Sequence, residues 1–215
     1  MYKTILFDLD GTLTDPGLGI TNSVMYALEK LGYPIAPRQE LYKFIGPPLH
    51  DSFRLYYGMS EEQAAEAVRL CREYFAINGI NENDLYEGIV PMLEKLRAAG
   101  KRLVLATSKP EKFAKIIMAH FGLDAYVPDI AGATMGTERS KKGQVIAYAL
   151  KEFGVDPAYA VMVGDREHDI IGGKENGLPG VGVTFGYGSR EELLDSGAVA
   201  VADSPEELGR ILLGE

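Results

Sequence analysis

The chain has 215 residues, of which 46% are hydrophobic and 25% are charged, enough for one large domain or a core with a smaller insert. Its formal net charge of −9 disfavours nucleic acid and anionic membrane as partners, because both are bound by basic surfaces. The single cysteine, Cys71, excludes an intrachain disulfide, and no apolar run approaches a membrane span. No signal peptide is visible, so we expect a cytoplasmic protein.

The first predicted element is a strand at residues 5–7, a short apolar run that is followed by Asp8, Asp10 and Gly11. An Asp-Gly pair directly after such a run favours a strand that ends in a turn. Side chains two residues apart in an extended chain point to the same side, so the two aspartates are predicted to form a carboxylate pair. Such a pair disfavours its own ionisation unless a cation lies between the groups. An ordinary β-hairpin is the alternative, although it does not explain a charge beside Phe7.

Residues 16–80 are predicted to be helical. Apolar residues repeat at helical spacing in two places, at positions 20, 24, 27 and 31 and at positions 64, 68, 71 and 75. Gly46-Pro47-Pro48 interrupts the region between them, because a helix does not continue through two prolines. Ser60 and Gln63 have the spacing of a capping box, which predicts a helix start. We therefore expect a separate all-α domain of short helices, with Cys71 in its core.

From residue 81 onward, predicted strands and helices alternate. The strands are expected at 103–106, 128–132, 160–163, 181–184 and 199–202, and the helices at 89–99, 111–121, 142–153, 167–176, 190–196 and 205–213. This alternation predicts an α/β fold, a Rossmann-like parallel sheet with helices on both faces. Residues 1–15 and 81–215 form the predicted core, and residues 16–80 form the small all-α domain.

Reactive side chains lie where these strands end or where a helix begins. They carry carboxylate, hydroxyl or ammonium groups: Asp8 and Asp10, Thr107 and Ser108, Asp165 and Asp169, and Lys141 and Lys142. Each group alone has an ordinary explanation as a helix cap, a turn or a solvated charge run. Sites in parallel sheets lie beyond the carboxyl ends of the strands, so their joint occurrence there favours one functional site.

Phosphoryl transfer requires this combination of groups. Carboxylates and a backbone carbonyl supply the oxygen ligands that suit Mg²⁺. One carboxylate serves as nucleophile and forms an aspartyl-phosphate, while a second protonates the leaving alkoxide and later activates water. Lysine charge, a hydroxyl and backbone N–H groups stabilise the phosphoryl oxygens as charge shifts in the transition state.

The chain carries four motifs that resemble those of the haloacid dehalogenase superfamily of phosphohydrolases. In order they are Asp8-Leu9-Asp10-Gly11-Thr12-Leu13, Leu103-Val104-Leu105-Ala106-Thr107, a lysine at 142 or 141, and Gly164-Asp165-Arg166-Glu167-His168-Asp169. The helical insert after the first motif looks like the first-type cap domain of these phosphatases. Residues 19–23, 45–49 and 164–169 are most similar to the phosphoglycolate phosphatase-like branch, which includes nucleoside 5′-phosphatases.

This resemblance implies a role for each aspartate. Asp8 would be the nucleophile and a Mg²⁺ ligand. Asp10 would be the general acid and base and would give its backbone carbonyl to the metal. Asp165 would be a direct metal ligand, and Asp169 would bind the metal directly or through water, or would support the residues that bind it.

The same resemblance implies the groups that hold the phosphoryl group. Thr107 would bind it, with help from the backbone of Ser108. Lys142 is preferred over Lys141 as the third motif because it lies at the predicted helix start. In many relatives a proline follows this lysine, whereas Gly143 follows it here.

The implied function is Mg²⁺-dependent hydrolysis of a small-molecule phosphate monoester, with phosphoglycolate or a nucleoside 5′-monophosphate as the leading substrates. A phosphomutase of the same superfamily and a non-catalytic binding module are the alternatives. The expected partner is a small phosphorylated metabolite, and the expected state is a monomer or weak homodimer. Candidates for selecting the substrate are the helical residues Asn22, Gly46-Pro47-Pro48, His50 and Arg54.

Overall fold

The computed structural model describes residues 2–136 and 138–215. Within them the strands are β1 (Thr4–Phe7), β2 (Thr14–Asp15), β3 (Asp84–Leu85), β4 (Arg102–Pro110), β5 (Asp129–Ala133), β6 (Ala160–Gly164), β7 (Gly180–Val183) and β8 (Ala200–Ala202). In this described part, six parallel strands form one sheet in the order β5-β4-β1-β6-β7-β8, and β2 pairs with β3.

The helices occupy the rest of the regular structure. They are α1 (Gly17–Leu31), α2 (Arg38–Leu41), α3 (Leu49–Tyr57), α4 (Glu61–Ile77), α5 (Ile89–Ala98), α6 (Glu111–His120), α7 (Lys142–Glu152), α8 (Glu167–Glu175), α9 (Arg190–Asp195) and α10 (Pro205–Leu213). None of the helices in the described residues has the length and apolar character that crossing a membrane requires.

The predicted parallel α/β fold is confirmed, with β1 inside the sheet between β4 and β6. Ile5, Leu6 and Phe7 are fully buried, although neighbouring side chains of a strand point to opposite faces. Both faces of the sheet are therefore covered here, which is why β1 reads as an unbroken apolar run. On one face, Leu6 packs in a cluster with Val145 and Ile146 of α7.

The chain divides into two compact units, and we call them the sheet unit and the helical unit. The sheet unit comprises the residues up to Thr14 and Leu85–Glu215, and the helical unit comprises Asp15–Asp84. These boundaries lie one and four residues from the predicted ones, at 15/16 and 80/81. The difference arises at β2 and β3, which are two residues long and therefore show no periodicity in the sequence.

The helical unit has an aromatic core of its own. Phe44 and Phe53 are buried with their ring centroids 5.0 Å apart, and Cys71 is buried in the same cluster. Burial raises the pKa of the Cys71 thiol far above its ordinary value, so the thiol is a core group rather than a nucleophile. Ser60 and Gln63 form the predicted capping box at the start of α4.

Candidate active site

Asp8 follows β1 directly and lies at the start of a tight turn. Its backbone N–H donates to the Val163 carbonyl at 2.9 Å, and its Oδ1 accepts from the N–H of Leu9 at 2.7 Å. The Leu9 carbonyl in turn accepts from the Thr14 N–H at 3.0 Å, and Gly11 has a φ of +82°. The turn thus holds a buried carboxylate at the carboxyl end of the central strand.

Three buried carboxylates meet at this edge of the sheet, and we call Asp8, Asp165 and Asp169 the acidic cluster. One oxygen from each lies within 4.8 Å of the others. Asp165 follows β6 directly, and Asp169 lies in the first turn of α8. A Cβ on Gly164 would lie 2.1 Å from the Asp169 carboxyl carbon, so glycine is required before Asp165 for this carboxyl to fit.

Lys142 is the lysine that reaches the acidic cluster. Its Nζ lies 2.7 Å from Asp8 Oδ1 and 2.8 Å from Asp169 Oδ1, and it donates to the Ala106 carbonyl at 3.1 Å. Lys141 is exposed. Burial lowers the pKa of Lys142, but the nearby charges of Asp169 and Asp8 outweigh this and raise it above its ordinary value. Lys142 is therefore a cation inside the site.

The acidic cluster carries more negative charge than its lysine can balance. Burial raises the pKa of Asp165 well above its ordinary value, and the charges of Asp169 and Asp8 raise it further. Burial also raises the pKa of Asp169 to about 6. Without a cation, the folded chain resists full ionisation of these groups.

The residues present fit a divalent cation with oxygen ligands. Asp165 is fully buried, and its Oδ2 accepts from the Tyr187 N–H at 2.8 Å. Its Oδ1 is buried without a hydrogen-bond donor among residues 2–136 and 138–215. When all of them are ionised, the site's four carboxylates (with Asp10) and two ammonium groups (with Lys109) leave two negative charges. A Mg²⁺ ion would balance this charge and use the unpaired oxygen.

Asp10 takes a partner of its own. Lys109 Nζ lies 2.9 Å from Asp10 Oδ1 and 2.7 Å from its Oδ2, and both side chains are buried. The chain bends at Leu9 between Asp8 and Asp10, yet the two carboxylates are near enough for the negative charge of Asp8 to act on Asp10. Burial raises the pKa of Asp10, and the charge of Lys109 opposes that rise.

The hydroxyl pair lies at the end of the neighbouring strand β4. Thr107 is buried, and its Oγ1 accepts from the Lys109 N–H at 3.1 Å. Ser108 is half-buried. The predicted strand at 103–106 was too short, since β4 continues to Pro110 and carries both residues.

Sequence reasoning missed two parts of the site. Lys109 follows Thr107 and Ser108 directly, and this adjacency was the available signal. The other part is the loop after β7, where two glycines lie close to Asp165. A Cβ added to Gly186 would be 2.5 Å from the Asp165 Cβ, and a Cβ added to Gly188 would be 1.9 Å from the Asp165 carbonyl oxygen. A Gly-x-Gly sequence that begins two residues after the end of the predicted strand at 184 was the signal there.

The helical residues proposed to select the substrate contact other residues of the helical unit. His50 Nε2 lies 3.1 Å from a carboxylate oxygen of Glu61, which also pairs with Arg54. Asn22 Nδ2 donates to Glu82 Oε2 at 3.0 Å, and its Oδ1 accepts from Arg38 at 2.9 Å. Gly46-Pro47-Pro48 forms the bend that leads into α3.

Residues 5–183 match the family of haloacid dehalogenase-like hydrolases. The chain belongs to this family. A protein named 5′-nucleotidase from Pseudomonas aeruginosa is 44% identical to this hydrolase over 89% of the chain and 87% of its own length. A phosphoglycolate phosphatase from Vibrio parahaemolyticus is 30% identical over 96% of the chain and 94% of its own length.

This haloacid dehalogenase-like hydrolase is also similar to a solved structure and to a kinase. The crystal structure of a predicted phosphatase from Clostridium acetobutylicum superposes with a TM-score of 0.97 at 44% identity, and each chain is covered completely. The tyrosine-protein kinase PtkA from Mycobacterium tuberculosis is 40% identical over 93% of the chain and 67% of its own length. The family and its phosphatase relatives establish the protein as a phosphatase enzyme.

Proposed function

We propose that this phosphatase hydrolyses nucleoside 5′-monophosphates with the help of Mg²⁺ and through an aspartyl-phosphate on Asp8. The observation that carries the mechanism is the buried Asp8 carboxylate, held by Lys142 in an acidic cluster with surplus negative charge. The 44% identity to a protein named 5′-nucleotidase favours nucleotides over phosphoglycolate, whose named phosphatase is 30% identical. Cytoplasmic location and a monomer or weak homodimer stay predictions from the sequence.

Mg²⁺ would be held by Asp8, Asp165 and the backbone carbonyl of Asp10, with Asp169 binding directly or through water. The fit rests on the buried, donor-free oxygen of Asp165 among the described residues and on the two uncompensated negative charges. When bound, the ion supplies positive charge to the transferring phosphoryl group.

Asp8 would act as the nucleophile through Oδ2. Both of its side-chain contacts found among the described residues, with Leu9 N–H and Lys142, use Oδ1. The Oδ2–phosphorus bond forms as the bond from phosphorus to the ester oxygen breaks. The ester oxygen leaves with a proton from Asp10, so that the released alcohol is neutral.

The second step restores the enzyme. A water oxygen bonds to phosphorus, the bond to Asp8 Oδ2 breaks, and the water proton passes to Asp10. Lys142, the Thr107 hydroxyl and the Ser108 backbone N–H would neutralise the phosphoryl oxygens in both steps. The products are inorganic phosphate and the free carboxylate of Asp8.

Phosphotransfer to tyrosine is the second candidate, because PtkA, which is named a tyrosine-protein kinase, is 40% identical to this chain. A phosphomutase reading predicts an isomerised ester, and a binding module predicts no turnover. The relatives named 5′-nucleotidase and phosphoglycolate phosphatase favour hydrolysis over these alternatives.

The test measures phosphate release from AMP, phosphoglycolate, phosphotyrosine and a sugar phosphate, with Mg²⁺ and with chelator. We expect AMP to be turned over fastest, and turnover to stop in chelator and in Asp8→Asn. Preference for phosphoglycolate would overturn the substrate class but keep the chemistry. Turnover in Asp8→Asn, or phosphorylation of a tyrosine peptide by ATP without hydrolysis, would overturn the mechanism.

A further inference from the structure

Lys109 is a buried cation that the mechanism above does not use. Only 4% of its side chain is exposed, and 11% of that of Asp10 is exposed. Its Nζ contacts both carboxylate oxygens of Asp10, at 2.9 and 2.7 Å. Burying an ammonium group is costly unless it is paired, and a cation at both oxygens restricts rotation of the carboxylate.

The backbone directs Lys109 toward Asp10 through an irregularity in the sheet. Strands β4 and β5 pair in register up to Thr107 and Gly132, and the next pair is Pro110 with Ala133. Two extra residues, Ser108 and Lys109, therefore lie on β4 between consecutive partners on β5. Bulges of this kind re-aim side chains and occur beside active sites.

Both ends of this bulge are fixed. The Lys109 N–H donates to Thr107 Oγ1 at 3.1 Å, and α6 begins directly after Pro110. A Cβ on Gly132 would lie 2.4 Å from the Glu111 Cα, so β5 approaches the start of α6 as closely as a glycine allows. The position of the Lys109 side chain is thus determined by a strand, a hydroxyl and a helix start.

We propose that Lys109 is a positioning residue for Asp10, and that it fixes the direction in which the Asp10 carboxyl group meets the leaving oxygen and, later, water. This inference rests on the proposed function, in which Asp10 transfers the proton. Lys142 orients Asp8 and Asp169, so the two buried lysines divide the site between the nucleophile and the proton donor.

This role predicts a loss that depends on the leaving group. An alkyl phosphate such as AMP expels a basic alkoxide, which needs a well-placed proton, whereas p-nitrophenyl phosphate expels a stable phenolate that does not. A lysine that only bound phosphate or supported the fold would affect both esters alike. The ratio of kcat/KM for AMP to that for p-nitrophenyl phosphate therefore isolates proton transfer to the leaving group.

The experiment measures this ratio in Lys109→Met, Asp10→Asn and the unchanged protein. We expect the ratio to fall about 10- to 100-fold in Lys109→Met and further in Asp10→Asn. Lys109→Arg, which keeps the charge, should recover part of the ratio. Lys112→Met removes a lysine that is exposed on α6 and should leave the ratio unchanged.

The outcomes separate the inference from the proposed function on which it rests. If Asp10→Asn leaves the ratio unchanged, the proton-transfer role of Asp10 in the proposed function fails. If Asp10→Asn lowers the ratio but Lys109→Met lowers kcat/KM equally for both esters, only the inference about Lys109 is overturned. Thermal unfolding checks each variant, and Lys109→Gln replaces Lys109→Met if the latter does not fold. If AMP is not a substrate, the alkyl ester with the highest turnover takes its place.

Discussion

The helical unit carries ion pairs at its surface, whereas the sheet unit also buries lysines against carboxylates. Arg69 pairs with Glu66 and Glu73 at 2.8 Å, and about half of each of these side chains is exposed. In the sheet unit, Lys142 and Lys109 are buried with the carboxylates that they contact. Exposed pairs contribute only about 0–1 kcal/mol to stability, and buried pairs are poor sources of stability compared with apolar groups of similar size.

The exposed pairs of the helical unit and the buried pairs of the sheet unit serve different purposes. The helical unit is held by its aromatic and aliphatic core, and charge is incidental to it. The sheet unit has an apolar core too, but it adds a buried, unbalanced set of charges that stability alone does not explain. Changes at the buried charges should therefore alter chemistry, whereas changes in the helical core should alter folding.

The largest effect is expected for Asp8→Asn in the sheet unit. The amide cannot form the aspartyl-phosphate, so turnover should fall by at least about a thousandfold. Because the change also removes surplus negative charge, the unfolding temperature should not fall. Asp51→Asn alters an exposed aspartate of the helical unit and serves as the control, with activity retained. A strongly destabilised Asp8→Asn protein would contradict the view that this charge serves chemistry.

Phe53→Ala in the helical unit should lower stability, whereas Asp8→Asn should lower turnover. Phe53 is fully buried against Phe44, and removing its ring should lower the free energy of unfolding by about 3–5 kcal/mol. Leu55→Ala, on the same helix but 75% exposed, should change it little. Denaturant unfolding of both variants checks this, and equal stability of the two would show that the aromatic core does not hold the unit.

A pair of glycines sharpens the comparison further. Gly11 in the sheet unit and Gly32 in the helical unit both have positive φ, of 82° and 71°. A Cβ would lie 2.2 Å from the Asp165 carboxylate at Gly11, whereas at Gly32 the described residues outside the adjoining chain and helix place no atom within 4 Å of it. Both alanine variants should lose about 1–2 kcal/mol of stability through backbone strain.

Only Gly11→Ala should also weaken Mg²⁺ binding, because the added methyl group displaces the Asp165 carboxylate. Titration of each variant with Mg²⁺, followed by the rise in unfolding temperature, measures this difference. If Mg²⁺ raised the unfolding temperature equally in Gly11→Ala and Gly32→Ala, Asp165 would not be a ligand of the ion.

The smallest effect concerns pH and the acidic cluster without metal. Burial raises the pKa of the Asp169 carboxyl from 3.8 to about 6, so the folded chain holds this proton more tightly than the unfolded chain. Its contribution to stability is complete below the lower value and is lost as pH rises through the higher one. The unfolding temperature of the metal-free protein should therefore fall across this interval.

Mg²⁺ should reverse that fall, because the ion replaces the protons on the carboxylates. We expect it to raise the unfolding temperature by more at about pH 7.5 than at about pH 5. Asp169→Asn removes one titrating group and should make the metal-free profile less steep, although Asp165, whose pKa burial also raises, remains. An effect of Mg²⁺ that does not vary with pH would argue against binding at the acidic cluster.

Much of the site could be predicted because parallel strands end at a common edge. Asp8, Asp165 and Lys142 were each recognised from their place next to a strand or helix start, and the structure brings them together. Lys109 was not recognised, because its direction depends on a bulge whose register involves β5. The turn after β7 was not predicted to be part of the site, because Tyr187 contributes only its backbone N–H, which any residue except proline carries.

Within the described residues, strand β1 pairs only with strands that follow much later in the chain. Thr4 pairs with Arg102, 98 residues later in the chain, and with Ala160, 156 residues later. The strand that leads into Asp8 therefore pairs only after most of the protein has been synthesised, whereas the contacts within Asp15–Asp84 become available earlier. Asp165 and Asp169 emerge only after β6. A nascent chain thus carries Asp8 long before the carboxylates of Asp165 and Asp169 can meet it, so the acidic cluster is assembled late in translation.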